Sequence, residues 1–251
     1  MRLVGFSTGA LALGDYRRAL EMLNGTTANA VELSALREHE LPGLMRGLAD
    51  LQLGQFRYVS VHAPSRLVAV SEREAAEALL PCVDYGWNVV LHPDVVRDAS
   101  CWRPFGRLLC LENMDKRKAT GRTPEEFVSF TEALPDASFC LDLAHARQVD
   151  STFTLARFLI ARLGADRIAQ VHLSELDSRS HHAPLSMSMV AAVQEIAHWI
   201  PGVPVILESQ VAPNEIEAEL RLAAICFEVK QRDTQPQRLP LPRTNDAVRG
   251  A

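Results

Sequence analysis

The chain has 251 residues, 47% of them hydrophobic and 23% charged, the composition of a folded globular protein and not of a disordered one. A formal charge of −5 supplies no basic footprint for nucleic acid, and no apolar stretch is long enough to span a bilayer, so neither kind of partner is expected. The five cysteines, Cys82, Cys101, Cys110, Cys140 and Cys226, are odd in number without Cys-x-x-Cys spacing and read as free thiols; the amino terminus enters a strand pattern rather than a signal peptide, so a cytoplasmic protein is expected.

Taken in order, the elements alternate. Strand one, Leu3 to Ser7, precedes a helix through Tyr16, Leu20 and Leu23; strand two, Ala30 to Leu33, precedes a helix through Leu41, Leu44, Leu48 and Leu51. Strand three, Tyr58 to His62, is followed at Ser71-Glu72-Arg73-Glu74 by a helix start with an N-cap Ser and a Glu at the third helical position. Strand four, Asn88 to His92, has a short link carrying Trp102 and Pro104, so its helix is expected to shrink to a turn. Strand five, Leu108 to Glu112, leads to Thr123-Pro124-Glu125-Glu126, where Thr caps and Pro takes the first helical position. Strand six, Phe139 to Asp142, precedes a helix from Phe153 to Leu163. Strand seven, Ile168 to His172, precedes a long polar loop and a helix from about Met187 to Trp199. Strand eight, Val205 to Glu208, precedes a helix from about Asn214 to Val229.

Eight strand-then-helix units imply a parallel sheet, and closing it gives an α/β fold of the (β/α)8, or TIM barrel, type. A single barrel domain is expected over residues 1–230, with a disordered tail over 231–251, where Pro236, Pro240, Pro242 and Gly250 accompany a loss of apolar period.

Six of the strands stop at a His or an acidic residue: His62, His92, Glu112, Asp142, His172 and Glu208. Strand side chains alternate, so the residue before each must face the other way. Those residues are Val61, Leu91, Leu111, Leu141, Val171 and Leu207, all large and apolar, as a surrounding helix layer requires. Two positions back lie Ser60, Val90, Cys110, Cys140, Gln170 and Ile206, mostly small or medium, as a filled barrel interior requires. Any one polar strand end has an ordinary structural explanation; six of matching type and parity point to one centre at the barrel mouth.

Imidazoles and carboxylates without thiolates suit zinc, manganese, iron or cobalt. Glu112, Asp142, His172 and Glu208 would complete a shell around one ion. His62 and His92 could hold a second with Glu112 bridging, and His145, His181 and His182 make a third position conceivable, so one to three divalent ions are expected, zinc or manganese. The run Asp115-Lys116-Arg117-Lys118 reads as a solvated mouth loop or as a grip for a substrate phosphate.

The order His62, His92, Glu112-Asn113, Asp142-x-x-His145, His172, His181-His182 and Glu208 resembles the xylose isomerase-like barrel superfamily, which joins endonuclease IV (AP endonuclease family 2) to sugar phosphate isomerases and epimerases. Similarity to endonuclease IV implies one zinc on His62, His92 and Glu112, another on Glu112, Asp142, His172 and Glu208, and a third on His145 and His181. Where that family has an Asp two positions before the loop histidine this chain has Arg179, and Asp177 is out of register, which tells against the third zinc. Similarity to ketose epimerases implies instead one manganese-type ion on Glu112, Asp142, His172 and Glu208. Glu112 and Glu208 would then act as acid and base, and His145, Arg179 and Glu32 would contact substrate. The expected function is metal-dependent isomerisation or epimerisation of a small polyhydroxylated molecule. The alternatives are a zinc phosphodiesterase and a catalytically silent binding barrel; the oligomeric state is left open.

Overall fold

The structure, a computed structural model, describes residues 2–228; the expected tail at 231–251 lies outside the described residues. Eight short parallel strands close on themselves. They are β1 (Val4–Ser7), β2 (Ala30–Ser34), β3 (Tyr58–His62), β4 (Asn88–Leu91), β5 (Leu109–Glu112), β6 (Ser138–Asp142), β7 (Ile168–Leu173) and, after a small hairpin of β8 (Glu175–Leu176) and β9 (His182–Ala183), β10 (Val205–Leu207). Each of β1 to β6 pairs with its successor, and β10 fills the gap between β7 and β1, so the sheet has no edge. The closed barrel is the (β/α)8 architecture expected from the alternation.

Helices cover the outside: α1 (Thr8–Ala12), α2 (Tyr16–Leu23), α3 (Leu41–Gly47), α4 (Glu72–Leu79), α5 (Pro81–Asp84), α6 (Pro124–Ala133), α7 (Leu143–Val149), α8 (Thr154–Leu163), α9 (Met187–Ile196) and α10 (Ile216–Cys226). The cap at Ser71 is a full capping box, and Thr123 caps α6 through Glu126 N. After β4 there are only single turns at Pro93–Val95, Ala99–Cys101 and Arg103–Leu108, because the link is short and broken by Pro104. The segment after β6 departs from expectation: a helix begins at once, at Leu143, before the one that starts at Thr154.

The parity argument is visible in the packing. Val61, Leu91, Leu111, Leu141, Val171 and Leu207 all belong to the large core between barrel and helices, none more than 4% exposed. Val90, Cys110 and Cys140 form a separate small apolar cluster inside the barrel. Burial raises both interior thiols well above the usual range, which makes them inert filler. Gly5 on β1 is required by closeness: a Cβ there would lie 1.6 Å from the Ala30 carbonyl oxygen of β2.

Candidate metal centre

Because the barrel strands are parallel, their carboxyl ends share one rim, and side chains from the ends of six of them meet there. Two groups of ligand atoms form, within each of which all atoms lie within 4.8 Å of one another: His62, His92 and Glu112, and Glu112, Asp142, His172 and Glu208. Glu112 belongs to both. Its Oε2 lies 3.2 Å from His62 Nε2 and 3.1 Å from His92 Nε2, and its Oε1 lies 3.1 Å from His172 Nδ1. His172 Nδ1 is also 3.6 Å from Glu208 Oε1 and 4.0 Å from Asp142 Oδ2.

Local structure aims these atoms. Asp142 is the N-cap of α7: its Oδ1 accepts from His145 N at 2.7 Å, which leaves Oδ2 facing the cluster, buried and without a hydrogen bond. The Asn113 side chain clamps the same residue, donating to Asp142 O and accepting from Asp142 N, both at 2.8 Å. His62 Nδ1 lies 2.7 Å from Ala63 O, which can only accept, so Nδ1 carries a proton and Nε2 is the nitrogen turned toward Glu112. Protonated, Nε2 donates to Glu112 Oε2 at 3.2 Å; a cation held between the two would take the place of that proton.

The electrostatics point the same way. Burial opposes charge on Glu112, yet His172, His62 and His92 hold its carboxyl well below the usual range. Burial, with Glu112 beside it, pushes Asp142 up to about 6, and burial with Asp142, Glu112 and Glu32 pushes Glu208 well above the usual range. Against its burial, the hydrogen bond to Glu112 and the charge of Glu32 raise His62 to about 9. Two crowded carboxyls that resist ionising, Asp142 and Glu208, beside an imidazole that draws a proton in, His62, mark a pocket rich in negative charge, which a divalent cation would relieve. With Asp142 Oδ2 unpartnered, the donor set fits an imidazole- and carboxylate-binding metal.

Above the cluster opens a cavity of about 400 Å³, lined among others by His62, His92, Glu112, Arg117, Lys118, His145, His182 and Glu208. His145 is 5% exposed; its Nδ1 lies 3.0 Å from Asn113 O and 3.2 Å from Asp142 Oδ2. The long polar loop expected after β7 contains a small hairpin. In the β8–β9 hairpin, successive side chains point opposite ways. His181 faces solvent, 68% exposed and 3.3 Å from Asp177. His182 turns inward, with Nδ1 2.8 Å from Ser174 Oγ and its ring 5.9 Å from that of His145. Burial and the nearby His145 lower His182 to about 3, so it is neutral. Both histidines line the cavity, His181 at its exposed edge and His182 on its inner wall. A hairpin in Glu175–Ala183 was the missed signal, since only its alternation separates the two adjacent histidines.

Two other expectations are corrected. Arg179 is exposed on the hairpin turn and does not line the cavity, because Asp177 Oδ1 accepts from Arg179 N and His181 N and turns that backbone outward. Glu32 is fully buried beneath His172, so it cannot touch a substrate in the cavity. Neither ligand group among the described residues includes His145 with a loop histidine, as the third zinc position would need.

No protein-family model matches the chain, and no curated protein matches it in sequence. Solved structures do match in fold. Endonuclease IV from Thermus thermophilus is 20% identical with a TM-score of 0.60, over 91% of this chain and 99% of that one. The 3-keto-D-glucoside 4-epimerase YcjR from E. coli is 13% identical with a TM-score of 0.57, over 90% and 99%. A xylose isomerase domain containing protein from Salmonella typhimurium is 16% identical with a TM-score of 0.62, over 90% and 97%. Along almost its whole described length the chain therefore has the barrel fold of these three structures.

Proposed function

We propose that the chain is a divalent-metal-dependent isomerase or epimerase that moves a proton on a carbon beside the carbonyl of a small polyhydroxylated substrate. The observation that carries this reading is the buried donor group of Glu112, Asp142, His172 and Glu208 on the floor of a cavity whose volume suits a small molecule and whose wall cations are already paired. His62, His92 and Glu112 would hold one ion, and Glu112, Asp142, His172 and Glu208 the other, with zinc and manganese both matching the donors. When bound, such an ion polarises a carbonyl and its neighbouring hydroxyl and lowers the cost of negative charge there.

The chain's own groups supply the rest. Glu208 lines the cavity, and burial with the neighbouring carboxylates raises its affinity for a proton, so its carboxylate is assigned to take the proton from the substrate carbon and return it. Both Glu112 oxygens already face imidazoles, so Glu112 is assigned to holding ions. His145, anchored through Nδ1 on Asn113 O, presents Nε2 to a substrate hydroxyl, and neutral His182 stands opposite. The cations of the cavity wall are matched: Lys118 Nζ is 2.7 Å from Asp94 Oδ2, and the Arg117 guanidinium pairs with Asp115. Matched cations donate hydrogen bonds without net positive charge, which suits a sugar better than a polyanion.

The side-by-side donor groups are the one feature that favours the second reading, a zinc phosphodiesterase, since paired ions can stabilise both the attacking and the leaving oxygen. The test is to incubate metal-loaded protein with a panel of aldoses and ketoses in D₂O and follow deuterium entry beside the carbonyl by NMR. Exchange that vanishes in Glu208→Gln supports the isomerase. No exchange on any sugar, with cleavage of duplex DNA at abasic sites, overturns it in favour of the hydrolase.

A further inference from the structure

We infer that Glu32 is a positioning residue of the metal centre, whose buried carboxylate locks His172 into its ligating tautomer and provides the charge that lets the site hold two divalent ions. This rests on the metal-dependent reading above.

Glu32 leaves β2 toward the barrel axis and is 0% exposed. Its Oε2 lies 3.0 Å from His172 Nε2, 2.7 Å from Gln170 Nε2 and 3.1 Å from Ser60 Oγ. The Gln170 amide is oriented independently, because the Tyr58 hydroxyl donates to its Oε1 and in turn accepts from Asn88 Nδ2 at 2.8 Å. Gln170 Nε2 is therefore a donor. It also lies 2.8 Å from His172 Nε2, so by itself it would favour a lone pair on that nitrogen and a proton on Nδ1. That tautomer cannot ligate, because Nδ1 is the atom facing Glu112, Asp142 and Glu208. A lone pair on Nε2 would, however, face the Glu32 carboxylate at 3.0 Å, so the carboxylate selects Nε2–H and frees Nδ1.

Charge gives the second part. Glu112, Asp142 and Glu208 carry three formal negative charges among the ligands, and Glu32 adds a fourth directly beneath them. Two divalent ions bring four positive charges, so the pair is balanced with Glu32 ionised and left with an excess charge in a buried site without it. Glu32 Oε1 has no hydrogen-bond partner, as expected of a carboxylate kept for its charge and for its one productive edge.

The experiment measures zinc by elemental analysis after dialysis against graded free zinc, with the visible spectrum of the cobalt-loaded protein as a second readout. Wild type should bind two ions. Glu32→Gln should keep its fold and the ion on His62, His92 and Glu112. It should bind the ion that uses His172 on the order of 10- to 100-fold more weakly, with a cobalt spectrum showing one imidazole fewer. Ser60→Ala, which removes a donor but keeps the charge, should bind both ions as wild type does. If Glu32→Gln does not fold, Glu32→Asp, which keeps the charge but draws it back by one methylene, should show the same selective weakening. Two ions at wild-type affinity in the variant, or equal weakening of both, overturns the inference; a wild-type protein that binds no ion overturns the underlying reading instead.

Discussion

The two sides of the centre offer different chemistry. The rim of β3 and β4 supplies two imidazoles, His62 and His92, and borrows its only carboxylate, Glu112; the rim of β6, β7 and β10 supplies Asp142 and Glu208 around one imidazole, His172. An ion held on the imidazole side would keep a net positive charge, whereas one held on the carboxylate side would be more than neutralised. Softer donors favour zinc and harder ones admit manganese, so one centre can hold unlike positions. The difference teaches that Glu112 is the joint between them, and that its loss should act on both at once.

The largest effect is therefore expected for Glu112→Gln, which should remove both ions and leave no measurable turnover; a variant that keeps one full equivalent of metal would break the idea of a shared ligand. Next comes Glu208→Gln. If Glu208 carries the proton, the rate should fall roughly 10²- to 10⁴-fold, with a far-ultraviolet circular dichroism spectrum like that of wild type. His92→Ala sharpens the contrast between the sides, since metal analysis should show the imidazole-side ion lost and the carboxylate-side ion retained. Chelation should lower the melting temperature as well. An ion present at about a hundred times its dissociation constant contributes roughly 2.7 kcal/mol, which for a chain of this size corresponds to about 5–10 °C. The smallest effects separate the adjacent histidines: His182→Ala should cut turnover by on the order of tenfold, while His181→Ala, at an exposed position, should stay within about twofold.

Much of the barrel was legible because its signal is local. Period-two alternation within single strands separated Leu111 and Leu141, facing the helices, from Cys110 and Cys140, facing the axis, and eight repeats of strand and helix implied closure. The candidate residues at the ends of β3 to β7 and just past β10 were legible for the same reason, as polar endings to apolar runs. Glu32 was legible as a candidate on its strand, but its depth was not. Its strand carries on past it to Ser34, so the carboxylate sits a layer below the rim, and that depth depends on stagger between strands. The helix starting at Leu143 was hidden because Asp142 serves both as N-cap and as a candidate ligand, and the sequence shows only one polar residue there.

By itself the sequence determined which residue types end the strands and which face each takes, since a two-residue period is a property of any extended chain. Only the tertiary structure decided depth and company: that Glu112 stands between two donor groups, that Glu32 lies beneath His172 and not beside a substrate, and that His182 lies on the inner wall of the cavity and His181 at its exposed edge. Those outcomes depend on how far each strand is displaced along the barrel and on a two-residue hairpin, and both are fixed by contacts between segments distant in the chain.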